Sequence, residues 1–306
     1  MVTPSGDQYE ITGGGYRAVV TEGGAALRAL EHEDRPLLLG FDAEQMPTGG
    51  RGQLLVPWPN RIRDGRYSFD GDEHQLPLSE PARANASHGL VRWVAWTLEE
   101  RTVHSVSQVY RLMAQTGYPW TLDLHVLHDV SADGLTVTVT ATNLSASPAP
   151  YAMGSHPYLT TGTGPVDRWE LTLPASTRLA TDDRKIPTGR EDVAGTDLDF
   201  RVARPIRSTS LDTPFTDLER DPDGRVHVAL RDPERDEGVT LWMDARHRWV
   251  QVYTGDDLPR LARASLAVEP MTAPPNAFAT GEDLAVLAPA GRDGDEHSAS
   301  WGIRAL

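Results

Sequence analysis

The 306-residue chain contains no cysteine, which excludes disulfides and thiolate metal sites outright. Long apolar runs are missing too: none approaches the ~20 residues a helix needs to cross a bilayer. Met1 to Gly15 has no basic start followed by an apolar stretch, so no signal peptide is expected and the chain reads as cytoplasmic. Positive charge is scarce, with 29 basic residues against 44 acidic and a net charge of -15. That balance opposes binding to nucleic acid or to an anionic membrane, both of which need a positive footprint. A few local arginines could still recruit one phosphate or sulfonate.

Several functional signatures are absent as well. The glycines at 13–15 and 49–52 are followed by neither Lys-Ser nor Lys-Thr, so there is no phosphate loop. Glu219, Asp221, Asp223 and Gly224 imitate the opening of a calcium loop, but Leu230 stands where its closing glutamate belongs. His125 and His128 are three apart on an expected strand, hence on opposite faces and poor metal partners. No Gly-x-Ser-x-Gly nucleophile elbow occurs. No metal site is expected.

What the chain does have is alternation. Leu135 to Thr140 repeats apolar and polar residues with period two, as a half-buried strand does. Arg225 to Leu230 does the same and leads across the turn-rich Asp232 to Glu237 into Gly238 to Met243, which predicts a hairpin. Further strands are expected at Gly15 to Thr21, Arg66 to Phe69, Arg92 to Leu98, Val103 to Leu112, Thr121 to Val130, Trp169 to Leu173 and Trp249 to Thr254, punctuated by Gly, Pro, Asp and Asn. No segment keeps helical apolar spacing over ten or more residues with clear caps. The expectation is an all-β fold of two packed antiparallel sheets. With no composition shift or repeat, residues 1–306 read as one domain. Gly291 to Ser298 looks like a polar loop, with Trp301 and Ile303 docking the tail.

Four short strings carry groups able to move protons or hold hydroxyls: Pro59-Asn60-Arg61-Ile62, Ser87-His88-Gly89-Leu90, Gly154-Ser155-His156-Pro157-Tyr158 and Leu266-Ala267-Val268-Glu269-Pro270. Glu269 follows an apolar run and precedes a proline, near an expected strand end. It is either a solvated carboxylate or, if partly buried, a general base with a raised pKa. His156 is either a surface turn residue or a proton donor, since an imidazole titrates near ~6.5. His88 reads equally as bystander or binder. Arg61 could make a surface ion pair or hold two adjacent hydroxyls with its fork. Asp212 could cap a turn, with Asp217 a competitor for any functional role. Trp58, Trp120, Tyr158, Trp249 and Tyr253 are candidates to lie against a sugar ring, although most such aromatics belong to the core.

In this order along the chain, Asn60-Arg61-Ile62 with Gly65-Arg66-Tyr67, His88-Gly89, His156, Asp212-x-x-Phe215 and Glu269, the sequence resembles the aldose 1-epimerase (galactose mutarotase) family over most of its length. The resemblance implies a large antiparallel β-sandwich, the galactose mutarotase-like supersandwich, with a sugar cleft on one sheet. It implies Glu269 as base, His156 as acid, and Arg61, His88, Asp212, Asn60 and Tyr158 as substrate contacts. No cofactor or metal is implied, and the partner is a small-molecule sugar on a monomer or homodimer. His88-Gly89-Leu90-Val91-Arg92 departs from the His-Gly-Gly of galactose-specific members and is similar to relatives acting on hexose 6-phosphates. Asn60 to Tyr67 resembles a branch associated with sulfoquinovose, a 6-sulfonated glucose. An aldohexose or a C6-anionic sugar are thus the two substrate readings. A non-catalytic sugar-binding homologue and a glycoside hydrolase using Glu269 with Asp212 are readings of other classes.

Overall fold

A computed structural model describes residues 2–162 and 164–306. Nine strands form the larger antiparallel sheet, in the order Thr97–Arg101, Ser105–Leu112, Leu122–Ser131, Gly134–Asn143, Glu296–Ala305, Glu237–Met243, Val226–Asp232, Glu170–Thr172 and Arg204–Pro205. Alternation is strict in the long strands: Leu122–Ser131 and Gly134–Asn143 bury every second residue. Their apolar side chains, Val126, Val137 and Val139 among them, face a single core cluster. The expected hairpin is present, with Val226 opposite Met243 and Asp232 opposite Glu237.

The second large sheet faces that core from the other side. Its order is Pro187–Asp192, Ala175–Thr181, Asp212–Leu218, Trp249–Tyr253, Leu266–Met271, Gly154–Ser155 and Leu54–Leu55, with Tyr158–Leu159 also pairing with Leu266–Met271. Period two divides each strand between two environments. Phe215, Val250, Val252 and Val268 point into the common core. Their neighbours Gln251, Tyr253 and Glu269 point the other way, onto the outer face. A four-stranded sheet, Gln8–Gly13 to Arg35–Pro36, packs against the larger sheet. The sandwich of antiparallel sheets is as expected from the sequence, and the one α-helix among the described residues is the single turn Ala277–Thr280.

Two expectations need correction. Arg92–Trp96 is not strand, and continuous pairing starts only at Thr97: Arg92 and Trp93 form a turn, and Ala95 makes an isolated bridge to Gly23, with Gly24 N–H bonding to Val94 O and Trp96 N–H to Glu22 O. The tail is not a loop up to Ser298: pairing begins at Glu296, and Trp301 and Ile303 are core residues of that strand. Glu269 does lie near a strand end, as expected, since its strand stops at Met271, and every residue in that strand is buried.

Candidate active site

Strand register brings the two proton-transfer candidates together. Gly154 lies opposite Met271 and Tyr158 opposite Ala267. His156, halfway between, therefore falls beside Glu269. The strand breaks at His156-Pro157, where Gly52 N–H bonds to the carbonyl of His156 and Val268 N–H to that of Pro157. The break turns the imidazole toward the carboxylate, and His156 Nε2 sits 3.3 Å from Glu269 Oε1. Both residues are deeply buried, at 5% and 2% exposed.

Burial dominates the electrostatics of this pair. It pushes the Glu269 carboxyl well above its ordinary range, with the nearby Asp212 charge adding to the effect and Arg61 opposing it. It pushes the His156 imidazole down, and the cations Arg92 and Arg61 push the same way. Glu269 Oε2 and His156 Nδ1 have no hydrogen-bond partner. An ionisable pair in this position costs several kcal/mol per ion in lost hydration. Full burial of one valine or leucine contributes only about 1.5–3 kcal/mol. The arrangement therefore does not serve stability.

The imidazole is fixed from behind. Tyr158 stacks on it with centroids 4.9 Å apart and planes within 7°. The Tyr158 hydroxyl donates to Gly49 O at 2.7 Å. On another side the backbone of Gly50 closes in, where an added Cβ would stand 2.7 Å from His156 Cδ2 at a φ of +77°. Only glycine fits that conformation and that space.

One wall of the cleft is built from the short pair Arg61–Arg63 and Asn85–Ser87. Asn60 and His88 flank it, both with positive φ, 54° and 59°, a region in which Asn and His are enriched. They hold each other: His88 N–H donates to Asn60 O, and Asn60 N–H donates to His88 Nδ1 at 3.2 Å. Since Nδ1 accepts, the neutral ring carries its proton on Nε2 and can donate from there. Desolvation, helped by Arg92, His156 and Arg61, keeps this ring neutral by holding its pKa well below the ordinary value. Arg61 is gripped by Glu80 through Nε at 2.8 Å and Nη2 at 3.0 Å, leaving Nη1 outside that fork. Glu80 also takes Arg83 and Asn85.

The opposite wall carries Asp212, Gln251 and Tyr253. Asp212 lies across from Tyr253, and Gln251 across from Glu269. Gln251 Nε2 donates to Asp212 Oδ1 at 2.7 Å, which turns Gln251 Oε1 away, buried and unpartnered. Asn60 Oδ1 is a second orphaned acceptor. Tyr253 gives its hydroxyl to Asp257. The cleft between the walls has a volume of about 550 Å³, within the ~300–1,000 Å³ typical of small-ligand sites. Its mouth carries Trp93 and Met46, 56% and 57% exposed.

Six of the seven residues singled out from the sequence line this one cleft: Glu269, His156, Arg61, His88, Asp212 and Asn60. Tyr158 does not. It lies behind His156, where it supports the imidazole and meets no cleft space. Among the aromatic candidates, only Tyr253 reaches the lining, while Trp58, Trp120 and Trp249 are buried elsewhere. Sequence reasoning missed Glu80, Gln251, Gly50 and Trp93. Gln251 had a readable signal, since it points outward from a strand whose neighbours Val250 and Val252 point inward. Glu80 had none, because the partner that brings it into the site, Arg61, is 19 residues away.

Fold and site together define a β-sandwich protein whose outer sheet face holds a buried acid–base pair at the floor of a hydrogen-bonding cleft. Residues 7–297 match the family model described as aldose 1-epimerase. The chain is 37% identical over 284 residues to the Escherichia coli K12 protein YihR, covering 92% of this chain and 89% of that one. It is 28% identical over 217 residues to human galactose mutarotase, covering 65% and 62%. Among solved structures, a GalM/aldose epimerase homologue from C. elegans superposes with a TM-score of 0.86 at 20% identity over 98% of both chains. Galactose 1-epimerase from Lactobacillus acidophilus gives 0.79 at 18% identity, over 96% and 92%. This chain belongs to the aldose 1-epimerase family.

Proposed function

We propose that the protein interconverts the α and β anomers of an aldohexose by acid–base ring opening, with Glu269 as base and His156 as acid. One observation carries this reading: a buried carboxylate oxygen and an imidazole nitrogen stand 3.3 Å apart at the floor of the cleft. Two proton-transfer atoms that close suit two oxygens borne by one carbon, and the anomeric carbon of a pyranose bears the O1 hydroxyl and the ring O5. Glu269 takes the O1 proton while His156 delivers one to O5, and the C1–O5 bond breaks. The resulting aldehyde turns about C1–C2, and O5 attacks its other face. On reclosure Glu269 returns a proton to O1 and His156 recovers one from O5.

Burial disfavours the charged form of each partner, so the pair holds one proton between them and passes it at short range. Each such transfer contributes ~10²–10⁴-fold. Arg61, His88 through Nε2, Asn60 through Oδ1 and Asp212 supply the donors and acceptors that hold the hydroxyls. Polarimetry on freshly dissolved α-glucose and α-galactose tests the proposal. Equilibration no faster than in buffer, on these and on C6-anionic sugars, would refute it.

A specific feature supports the second substrate reading, a sugar with a phosphate or sulfonate at C6. Arg92 lines the cleft beside His88 and His156 yet has no carboxylate partner among the described residues. Among the described residues its hydrogen bonds go to Gln53 Oε1 at 3.5 Å and Ser87 O at 3.4 Å, both neutral and long, and its guanidinium lies over the Trp93 ring at 5.8 Å. Arg61 and Arg83 are already committed to Glu80. A desolvated guanidinium left this way is a ready partner for an anion. Exchange NMR on glucose and its 6-anionic derivatives separates the two readings.

A further inference from the structure

Of the 29 basic residues in the chain only one is a lysine, Lys185. It occupies the tip of the hairpin between strands Ala175–Thr181 and Pro187–Asp192, at a φ of 63°. Its Nζ lies 2.9 Å from Asp212 Oδ2. The tip is anchored to the far wall of the cleft. Asp182 accepts from Arg63 and from the N–H groups of Arg184 and Ile186. Arg184 donates to the carbonyls of Arg83 and Ala84, and Asn85 donates to the carbonyl of Arg184. The hairpin tip is thus fixed to the wall carrying Arg61 and Glu80, and Lys185 crosses from it to the wall carrying Asp212.

The two oxygens of Asp212 have separate partners, Gln251 on Oδ1 and Lys185 on Oδ2. An ionised carboxylate has about four acceptor sites, so each oxygen keeps room for a further donor. An arginine here would present a planar fork that takes both oxygens at once. An ammonium contacts one. We propose that Lys185 is a positioning residue for the aldose site: it holds Asp212 by a single oxygen, so that the carboxylate stays aimed into the cleft with acceptor capacity left for a sugar hydroxyl. This rests on the reading of the cleft as a sugar site.

The test is saturation kinetics of Lys185→Met and Lys185→Arg, combined with NMR of protein labelled at lysine. KM is expected to rise roughly tenfold in both variants, the scale of one hydrogen bond to a charged group, while kcat stays within about threefold of wild type. The arginine variant decides the argument, because it keeps the charge and changes the geometry. A wild-type KM in Lys185→Arg would overturn the proposal, as would a wild-type KM in Lys185→Met or a fall confined to kcat. The label gives one side-chain ammonium signal for the whole protein. That signal is expected to move in Asp212→Asn and again when sugar is added to wild type. A signal unmoved by Asp212→Asn would overturn the proposal whatever the activity, whereas wild-type enzyme without mutarotase activity would refute only the functional reading.

Discussion

Replacing Glu269 by glutamine tests the mechanism most directly, because it keeps the side chain's volume and hydrogen-bonding shape and removes only its ability to carry a proton. The carboxylate takes the O1 proton in one half of the cycle and returns it in the other, so the loss is the full general-base contribution of ~10²–10⁴-fold. At about 1.36 kcal/mol per decade that is roughly 2.7–5.4 kcal/mol of barrier. His156→Gln is expected to cost a similar factor. The double variant should be little worse than the poorer single one, since the two residues share one proton and act as a unit.

The same substitution has a signed consequence for stability. Glu269 has a folded pKa raised above its ordinary 4.5, so the folded state binds its proton more tightly than the unfolded state does. Below pH 4.5 the carboxyl is protonated in both states and contributes nothing to the difference. As pH rises toward the folded value, wild type progressively loses stability, and above it the penalty is complete. Glu269→Gln is free of that penalty, so its advantage in Tm should widen from pH 4 toward pH 8. Polarimetry and thermal melts across this range check both halves. Activity within tenfold of wild type, or a Tm gap that widens toward acid, would refute the reasoning.

Gly50→Ala should lower kcat by roughly 100-fold with the circular-dichroism spectrum unchanged, because the new methyl displaces His156 and an ångström of misplacement costs about that much. Arg92→Leu should weaken a 6-phosphorylated or sulfonated hexose by roughly 10–100-fold and leave glucose within about twofold; competition kinetics with both sugars read the difference. His128 is buried on the larger sheet and its pKa is pulled down to about 3 by desolvation. Its folded state binds fewer protons than its unfolded state, so the stability it permits is complete above pH 6.5 and is lost as pH falls toward 3. The share due to this residue is about 2 kcal/mol by pH 5. In urea unfolding at pH 7 and pH 5, His128→Leu should lose about that much less than wild type between the two.

Local pattern alone was enough for the strand content. Alternation in Leu135–Thr140 and the turn chemistry around Asp232–Glu237 act within a few residues, and the sandwich follows once such strands must hide one face. The chemical types of six cleft residues were also legible, because Glu269, His156 and their companions sit in short distinctive strings. The misreadings share one cause. Arg92–Trp96 has strand composition but finds its hydrogen-bond partners at Glu22 and Gly24, far off in the chain. Tyr158 follows His156 closely in sequence and still faces away from the cleft, since the break at Pro157 places it behind the imidazole. The sequence by itself determined which residues could do chemistry and which could form strands, because propensity and titration range are properties of single side chains and near neighbours. Only the tertiary structure decided that His156 meets Glu269 at 3.3 Å, that Glu80 holds Arg61, and that Lys185 reaches Asp212. The first is a fact of register between strands remote in the chain, the others of where a connecting loop and a hairpin tip are anchored, and burial where His156 meets Glu269 sets the protonation of that pair.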